Sequence, residues 1–194
     1  TTVMACRCQK ILAPAMNTAM YENPVVQDNI RKLQTYGYEV ITPASGYLAC
    51  GDTGAGKMPE PETLLEYILK EAAFQKDLAG KKLLVTAGPT QEAIGPVRCL
   101  TNHSSGKMGY AIAKMAMLRG AEVTLVSGPT AIEPPLFVLV VPVTSARDMF
   151  EAVTGLSDEQ DIIIKAAAVA DYRPKQVSED KVKKKDDQAS IELE

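Results

Sequence analysis

The chain has 194 residues, 46% of them hydrophobic and 23% charged, with a formal net charge of −3. That length fills one medium core or two small ones, and the acidic balance argues against a nucleic-acid partner. No apolar run reaches membrane-spanning length, no signal peptide is readable, and with Trp absent the core must rest on Ala, Val, Ile and Leu.

The four cysteines are Cys6, Cys8, Cys50 and Cys99. Cys6-x-Cys8 lacks the second pair or nearby His that would complete a zinc set. The cysteines read as ordinary buried thiols of a reducing cytoplasm. The chain begins without Met and stops inside a charged stretch, so both ends read as cut from a larger polypeptide.

Lys10 to Ala13 predicts a short buried strand, broken by Pro14-Ala15-Met16-Asn17. Asn23-Pro24 supplies an N-cap and a proline at the first helical position. Val25, Val26, Ile30 and Leu33 recur at helical spacing until Gly37 stops the helix. Tyr38 to Thr42 predicts a second strand. From Pro43 to Pro59 a long loop carries Gly46, Gly51, Gly54 and Gly56, which marks it as mobile or functional. Pro61 opens a helix with Leu64, Leu65, Ile68 and Leu69 on its apolar side.

Asp77 to Lys81 reads as a linker, after which the pattern restarts. Lys82 to Thr86 predicts a strand and Tyr110 to Arg119 a helix closed by Gly120. Between them lies Thr101-Asn102-His103-Ser104-Ser105-Gly106-Lys107-Met108-Gly109. A helix N-terminus carries unpaired N–H groups and partial positive charge. Ser104, Ser105 and Gly106 would let a phosphate approach it, and Lys107 adds a cation. A polar capped turn accounts for the same residues equally well. Neither G-x-x-x-x-G-K-[ST] nor G-x-G-x-x-G is present.

Glu122 to Val126 and Phe137 to Val141 predict further strands. Ser145 caps a helix to about Val153, with Asp148 completing a near capping box, and Asp161 to Ala166 predicts the last strand. Alternating β and α with strands apolar on both faces means an α/β fold: a parallel sheet covered by helices. From Asp77 onward this predicts a doubly wound, Rossmann-like domain. Its strand ends carry Gly88-Pro89-Thr90, Ser127-Gly128-Pro129 and Ala167-Ala168-Val169-Ala170-Asp171, where such folds bind ligands.

Several side chains admit two readings. Asn17 is a turn residue or a carboxylate ligand. Cys50 is a plain loop thiol, or an acid or nucleophile. Asp171 is a turn carboxylate or a hydrogen-bond acceptor for a base or ribose. Lys181, Lys183, Lys184 and Lys185 form a solvated charge run or a cationic partner for a triphosphate.

Taken in order, Pro14-Ala15-Met16-Asn17, Ala49-Cys50-Gly51-Asp52, Gly88-Pro89-Thr90, Pro96-Val97-Arg98, Asn102-x-Ser104-Ser105-Gly106-x-Met108-Gly109, Ala166-Ala167-Ala168-Val169-Ala170-Asp171-Tyr172 and Lys181-x-Lys183-Lys184 resemble one family. It is the bifunctional coenzyme A biosynthesis flavoproteins, in which phosphopantothenoylcysteine decarboxylase is fused to phosphopantothenate–cysteine ligase. The resemblance covers nearly the whole chain.

The resemblance implies that residues 1–76 form the C-terminal part of a flavodoxin-like, FMN-dependent decarboxylase that acts as a trimer. There the flavin oxidises the cysteinyl part of the substrate, carbon dioxide leaves, and reduced flavin returns electrons to the enethiolate. Asn17 matches the residue that holds the substrate carboxylate. Cys50 matches the cysteine that donates a proton in the final reduction, on a glycine-rich clamp that closes over substrate.

Residues 77–194 match the N-terminal part of the ligase, with dimeric contacts. It activates 4′-phosphopantothenate with CTP to an acyl-cytidylate, and cysteine then displaces CMP. Lys181 matches the activation lysine, Asn102 the residue handling the acyl-cytidylate, and Arg98 the same active-site segment. Lys165, Ala166, Ala167, Ala168 and Asp171 match the strand end that recognises cytidine, and Mg²⁺ would bridge the phosphates.

The chain departs from the family at Gly95, where an aspartate is usual, and at Lys57, where an arginine is common. The decarboxylase's N-terminal flavin-binding half, with its catalytic histidine, and the C-terminal part of the ligase have no counterpart here. A catalytically incomplete nucleotide- or flavin-binding module is therefore the alternative. A nicotinamide-dependent dehydrogenase is disfavoured by the missing glycine fingerprint.

Overall fold

The computed structural model describes residues 2–181 and 190–194. The chain divides between Phe74 and Gln75 into two compact units.

The first unit contains α1 (Thr2–Ala5), β1 (Ile11–Leu12), α2 (Thr18–Tyr21), α3 (Pro24–Thr35), β2 (Glu39–Val40), β3 (Ala44–Tyr47), β4 (Thr53–Lys57) and α4 (Pro61–Ala72). The expected strand–helix–strand is present. β1 and β2 pair in parallel, Ile11 opposite Glu39, and α3 crosses between them. Asn23 caps α3 by accepting from the Val25 amide at 2.9 Å, with Pro24 pre-set at the first helical position.

The long glycine-rich loop is not a loop throughout. Most of it is an antiparallel hairpin, β3 against β4. Two of its glycines, Gly54 and Gly56, serve close approach. A Cβ on Gly56 would stand 2.2 Å from the Met16 carbonyl oxygen, and one on Gly54 would stand 2.6 Å from Thr18 Oγ1. Only bare backbone lets β4 lie against the Met16–Thr18 turn, where the Met16 amide donates to the Gly56 carbonyl at 2.9 Å.

The second unit, Gln75–Glu194, contains β5 (Lys82–Ala87), β6 (Gln91–Gly95), β7 (Arg98–Thr101), α5 (Lys107–Leu118), β8 (Glu122–Ser127), β9 (Leu139–Pro142), α6 (Ala146–Leu156) and β10 (Ile162–Lys165). One turn of 3₁₀ helix, Ser157–Glu159, follows α6. The main sheet has the order β10-β5-β8-β9, and all three of its strand pairs are parallel. Helices cover both faces. Met149 of α6 packs on Leu84 and Val126. On the other face a Cβ at Gly109 of α5 would stand 2.5 Å from Ala87 Cβ, so the helix lies almost on the strand. The sheet is doubly wound as expected, and it reverses direction at β5. That leaves a crevice between the carboxyl ends of β5 and β10.

Three local expectations are corrected. Residues 77–81 are no free linker: the Leu78 amide donates to the Arg119 carbonyl at 3.0 Å, Lys76 Nζ donates to the Leu118 carbonyl at 2.7 Å, and Asp77 pairs with Arg119. They fasten the otherwise unpaired carbonyls at the C-terminus of α5. The strand expected from Phe137 starts at Leu139, because Phe137 has φ 65°. The segment between β5 and α5 contains an unforeseen hairpin, β6 with β7. The capping box is present in full, with Ser145 Oγ accepting from the Asp148 amide and Asp148 accepting from the Ser145 amide.

Candidate functional site

In the first unit the turn and the hairpin bring Asn17, Cys50 and Asp52 together. Asn17 is the N-cap of α2, its Oδ1 accepting from the Ala19 amide at 2.8 Å. That bond fixes which end of the amide faces outward. Its Nδ2 donates to Asp52 Oδ2 at 2.7 Å and to Cys50 Sγ at 3.3 Å. The Cys50 thiol donates to the same Asp52 oxygen at 3.6 Å.

These groups border a pocket of about 480 Å³ whose walls include Met16, Asn17, Tyr47, Cys50, Lys57 and Met58. Lys57 donates from Nζ to Glu60 at 2.8 Å. That hydrogen bond, reinforced by the charge of Lys57, lowers the Glu60 pKa. Asp52 was not singled out from the sequence. Its signal was there, since it lies two residues from Cys50 across Gly51, where a turn aims both side chains the same way.

All four cysteines are exposed, against the expectation of buried thiols. The reason is local: Cys6 and Cys8 flank the end of a four-residue helix with no buried residue, while Cys50 and Cys99 sit on hairpins. Among the described residues no group of three or more His, Cys, Asp or Glu is placed to hold a metal ion.

In the second unit the β5–β10 crevice is built by two threonines. Thr86 Oγ1 accepts from the Ala166 and Ala167 amides at 3.1 and 3.2 Å. Thr90 Oγ1 accepts from the Ala170 amide at 2.9 Å. Both are buried, so they extend the sheet's hydrogen bonding past the last strand pair and hold residues 166–170 against residues 86–90. Asn102 closes the arrangement, its Nδ2 donating to the Ala168 and Val169 carbonyls at 3.3 and 3.1 Å. The Thr101 hydroxyl donates to the Thr90 carbonyl at 2.7 Å.

The loop into α5 is tighter than the sequence suggested. α5 starts at Lys107, and Gly106 is its N-cap at φ 75°. Ser104 Oγ accepts from the Gly106 amide at 3.3 Å and Ser105 Oγ from the Lys107 amide at 3.5 Å. The serines therefore serve the turn itself in this state. Gly88 and Gly106 both approach Thr130 Cγ2 so closely that a Cβ would stand 2.8 or 2.9 Å from it. Thr130 in turn donates to the Tyr110 hydroxyl at 2.9 Å.

The remaining predicted residues lie at several places on the second unit. Lys165 ends β10 and is exposed. Arg98 borders a cavity of about 600 Å³ together with Ile94, Ser178, Ile191 and Glu192. Asp171 borders a separate pocket of about 220 Å³ with Glu92, Arg147, Tyr172 and Arg173. Lys181 is exposed, next to a segment packed on Gly95. A Cβ at Gly95 would stand 3.3 Å from the Ser178 carbonyl oxygen and 3.7 Å from that of Asp180. Lys183, Lys184 and Lys185 lie outside the described residues.

The chain carries a full-length match to known families. The model described as DNA/pantothenate metabolism flavoprotein C-terminal domain matches residues 78–194. The chain belongs to that family. The Flavoprotein model matches residues 1–73, so a flavin is the cofactor class of the family to which the first unit is similar.

The Coenzyme A biosynthesis bifunctional protein CoaBC of Vibrio vulnificus is 51% identical over 188 residues, covering 96% of this chain and 46% of that protein. The protein of the same name from Bacillus subtilis is 47% identical over 196 residues, covering 100% of this chain and 48% of the relative. The chain thus spans about half the length of the curated relatives it matches. A crystal structure of the C-terminal domain of a CoaBC protein superposes with TM-score 0.52 at 58% identity, covering 60% of this chain and 54% of that one. A solved Cab2 variant, 16% identical with TM-score 0.52 over 70% of this chain and 64% of that one, shares the fold. The family resemblance seen in the seven ordered motifs is therefore shown.

Proposed function

We propose that this chain contributes to two consecutive steps of coenzyme A biosynthesis, in the cytoplasm. Residues 77–194 take part in CTP-dependent ligation of 4′-phosphopantothenate to cysteine through an acyl-cytidylate. Residues 1–76 take part in FMN-dependent decarboxylation of the product to 4′-phosphopantetheine. The observation that carries the ligase reading is the β5–β10 crevice, where Asn102 bonds the Ala168 and Val169 carbonyls. It sits at the switch point of a parallel sheet, and such crevices take nucleotides.

In this reading residues 165–168 and Asp171 receive the cytidine, and Ser104 to Lys107 face its phosphates. Asn102 meets the acyl-cytidylate and Arg98 the pantothenate side. Lys181 offsets charge that builds on the phosphates as the carboxylate attacks. Pyrophosphate leaves, the cysteine amine attacks the acyl carbon, and CMP departs. Mg²⁺ enters with the nucleotide's phosphates.

For the decarboxylation, FMN supplies two-electron redox chemistry when bound. The pocket offers the substrate Met16, Leu48 and Met58 as apolar wall and Asn17 as a polar handle. Asn17 then holds the substrate carboxylate, and Cys50 supplies the proton for the final reduction. Partners in this reading are further copies of the chain, through trimeric decarboxylase contacts and dimeric ligase contacts.

The alternative, a catalytically incomplete binding module, is favoured by Gly95, which stands where an aspartate is usual. The experiment that separates them uses this chain joined to the flanking sequence of the Vibrio vulnificus relative. It is incubated with CTP, Mg²⁺, 4′-phosphopantothenate and cysteine, and pyrophosphate is followed. Release that requires 4′-phosphopantothenate supports the enzyme; no release refutes it.

A further inference from the structure

We infer that Asp52 is a placeholder for the substrate carboxylate, occupying the Asn17 amide in the empty site and positioning the Cys50 thiol from the same oxygen. The inference rests on the decarboxylase reading above and adds a residue to it.

The hydrogen-bond inventory of Asn17 carries the argument. An asparagine side chain has one carbonyl oxygen and two amide hydrogens. The oxygen is held by the Ala19 amide at 2.8 Å. The nitrogen donates to Asp52 at 2.7 Å and to Cys50 at 3.3 Å, so both hydrogens are committed. An incoming carboxylate reaches Asn17 only by displacing one of these two partners. Asp52 is the group it matches chemically, carboxylate for carboxylate, and two such anions cannot share one amide hydrogen without mutual repulsion.

Cys50 and Asp52 ride the same hairpin tip, between β3 and β4. Substrate that displaces Asp52 therefore also draws the thiol away from its resting partner. Once the substrate carboxylate has left as carbon dioxide, the Asn17 amide is open again. Asp52 returns to it, and the thiol returns with the tip to the end of the pocket where the proton is needed.

A second observation points the same way. Seated on the Met16–Thr18 turn, the hairpin leaves Thr18 Oγ1 buried with no hydrogen-bond partner, beneath Gly54. A buried unpaired hydroxyl opposes the arrangement that creates it, and lifting the hairpin relieves it. The resting seat is thus held by Asp52 against a polar penalty, as a displaceable clamp requires.

The 194-residue chain is compared with its Asp52→Ala and Asp52→Asn variants by two readouts. In the first, alkylation by iodoacetamide is followed at one fixed pH, with Cys6, Cys8 and Cys99 as internal references. The neutral amide of Asp52→Asn holds Asn17 and the Cys50 thiol less tightly than the carboxylate does, so Cys50 on the freed hairpin tip should react about three- to tenfold faster while the other three stay unchanged. In the second, dissociation constants are measured for 4′-phosphopantothenoylcysteine and for 4′-phosphopantetheine, which lacks the carboxylate. Asp52→Ala should tighten the first about three- to tenfold and leave the second unchanged, because only the carboxylate competes for Asn17.

A merely structural role for Asp52 weakens both ligands in the variant, and that result overturns the inference. So does binding of both ligands with no difference between the chains, or an unchanged Cys50 rate in Asp52→Asn. Failure of both ligands to bind any of the three chains, also when each is completed by the flanks of the Vibrio vulnificus relative and kept free of FMN, removes the decarboxylase reading itself, and the placeholder with it.

Discussion

Asn102 joins architecture to the proposed chemistry. Its amide donates to the Ala168 and Val169 carbonyls, tying the loop before α5 to the end of β10. Asn102→Asp would set oxygen against those two carbonyls. We expect a loss of about 1–3 kcal/mol in urea-midpoint stability together with loss of pyrophosphate release. Lys181 should behave differently. It is exposed, so Lys181→Gln should leave the urea midpoint unchanged while cutting pyrophosphate release by roughly 10²–10³-fold, the scale of one charge-stabilising donor. Retained release in the variant would remove Lys181 from the activation step. Cys50 and Asn17 were legible as motif residues. Their contact through Asp52 was not, because it depends on a hairpin that the glycine count had presented as a loop.

At the level of elements, the strands and helices of the main sheet were legible because their apolar residues repeat with the right period and their ends carry caps. β5 is apolar on both faces and is buried from Leu83 to Ala87, as a central parallel strand must be. The two hairpins were not legible. β4 is Thr-Gly-Ala-Gly-Lys, with no alternation of large apolar side chains, and it is held instead by close backbone approach to Met16. Gly56→Ala should therefore cost more than about 2 kcal/mol in urea unfolding, since a Cβ there meets the Met16 carbonyl oxygen and φ is 125°. A cost near zero would mean the hairpin is not seated on that turn.

The cap of α6 gives a pH test. Asp148 is held below the ordinary carboxylate range, first by the Ser145 amide and then by the Ser145 side chain. A lowered folded-state pKa stabilises above the unfolded value of about 3.9 and loses that contribution as pH falls through the folded value. Asp148→Asn should accordingly lower the urea midpoint at pH 7, with the difference from the parent shrinking toward pH 3. A difference independent of pH would show that the charge of Asp148 plays no part in the cap.

On the scale of the whole molecule, the division between Phe74 and Gln75 falls, in the proposed reading, between two chemistries that share an intermediate, the amide made by one and consumed by the other. The doubly wound character of the second unit was legible from β/α alternation. The order β10-β5-β8-β9, which creates the crevice, was not, since alternation does not say on which side of β5 the last strand lies. The threonines that extend the sheet there, Thr86 and Thr90, look in sequence like ordinary strand and turn residues.

The central claim is that one chain serves both steps in succession, and one reaction tests it. The chain completed by the flanks of the Vibrio vulnificus relative is given CTP, Mg²⁺, 4′-phosphopantothenate and carboxyl-labelled cysteine. Pyrophosphate, labelled carbon dioxide and 4′-phosphopantetheine are measured together. The account predicts all three from the parent, all three cut by roughly 10²–10³-fold in Lys181→Gln, and from Cys50→Ala pyrophosphate and carbon dioxide without 4′-phosphopantetheine. Absence of pyrophosphate from the parent, or full 4′-phosphopantetheine yield from Cys50→Ala, would contradict it.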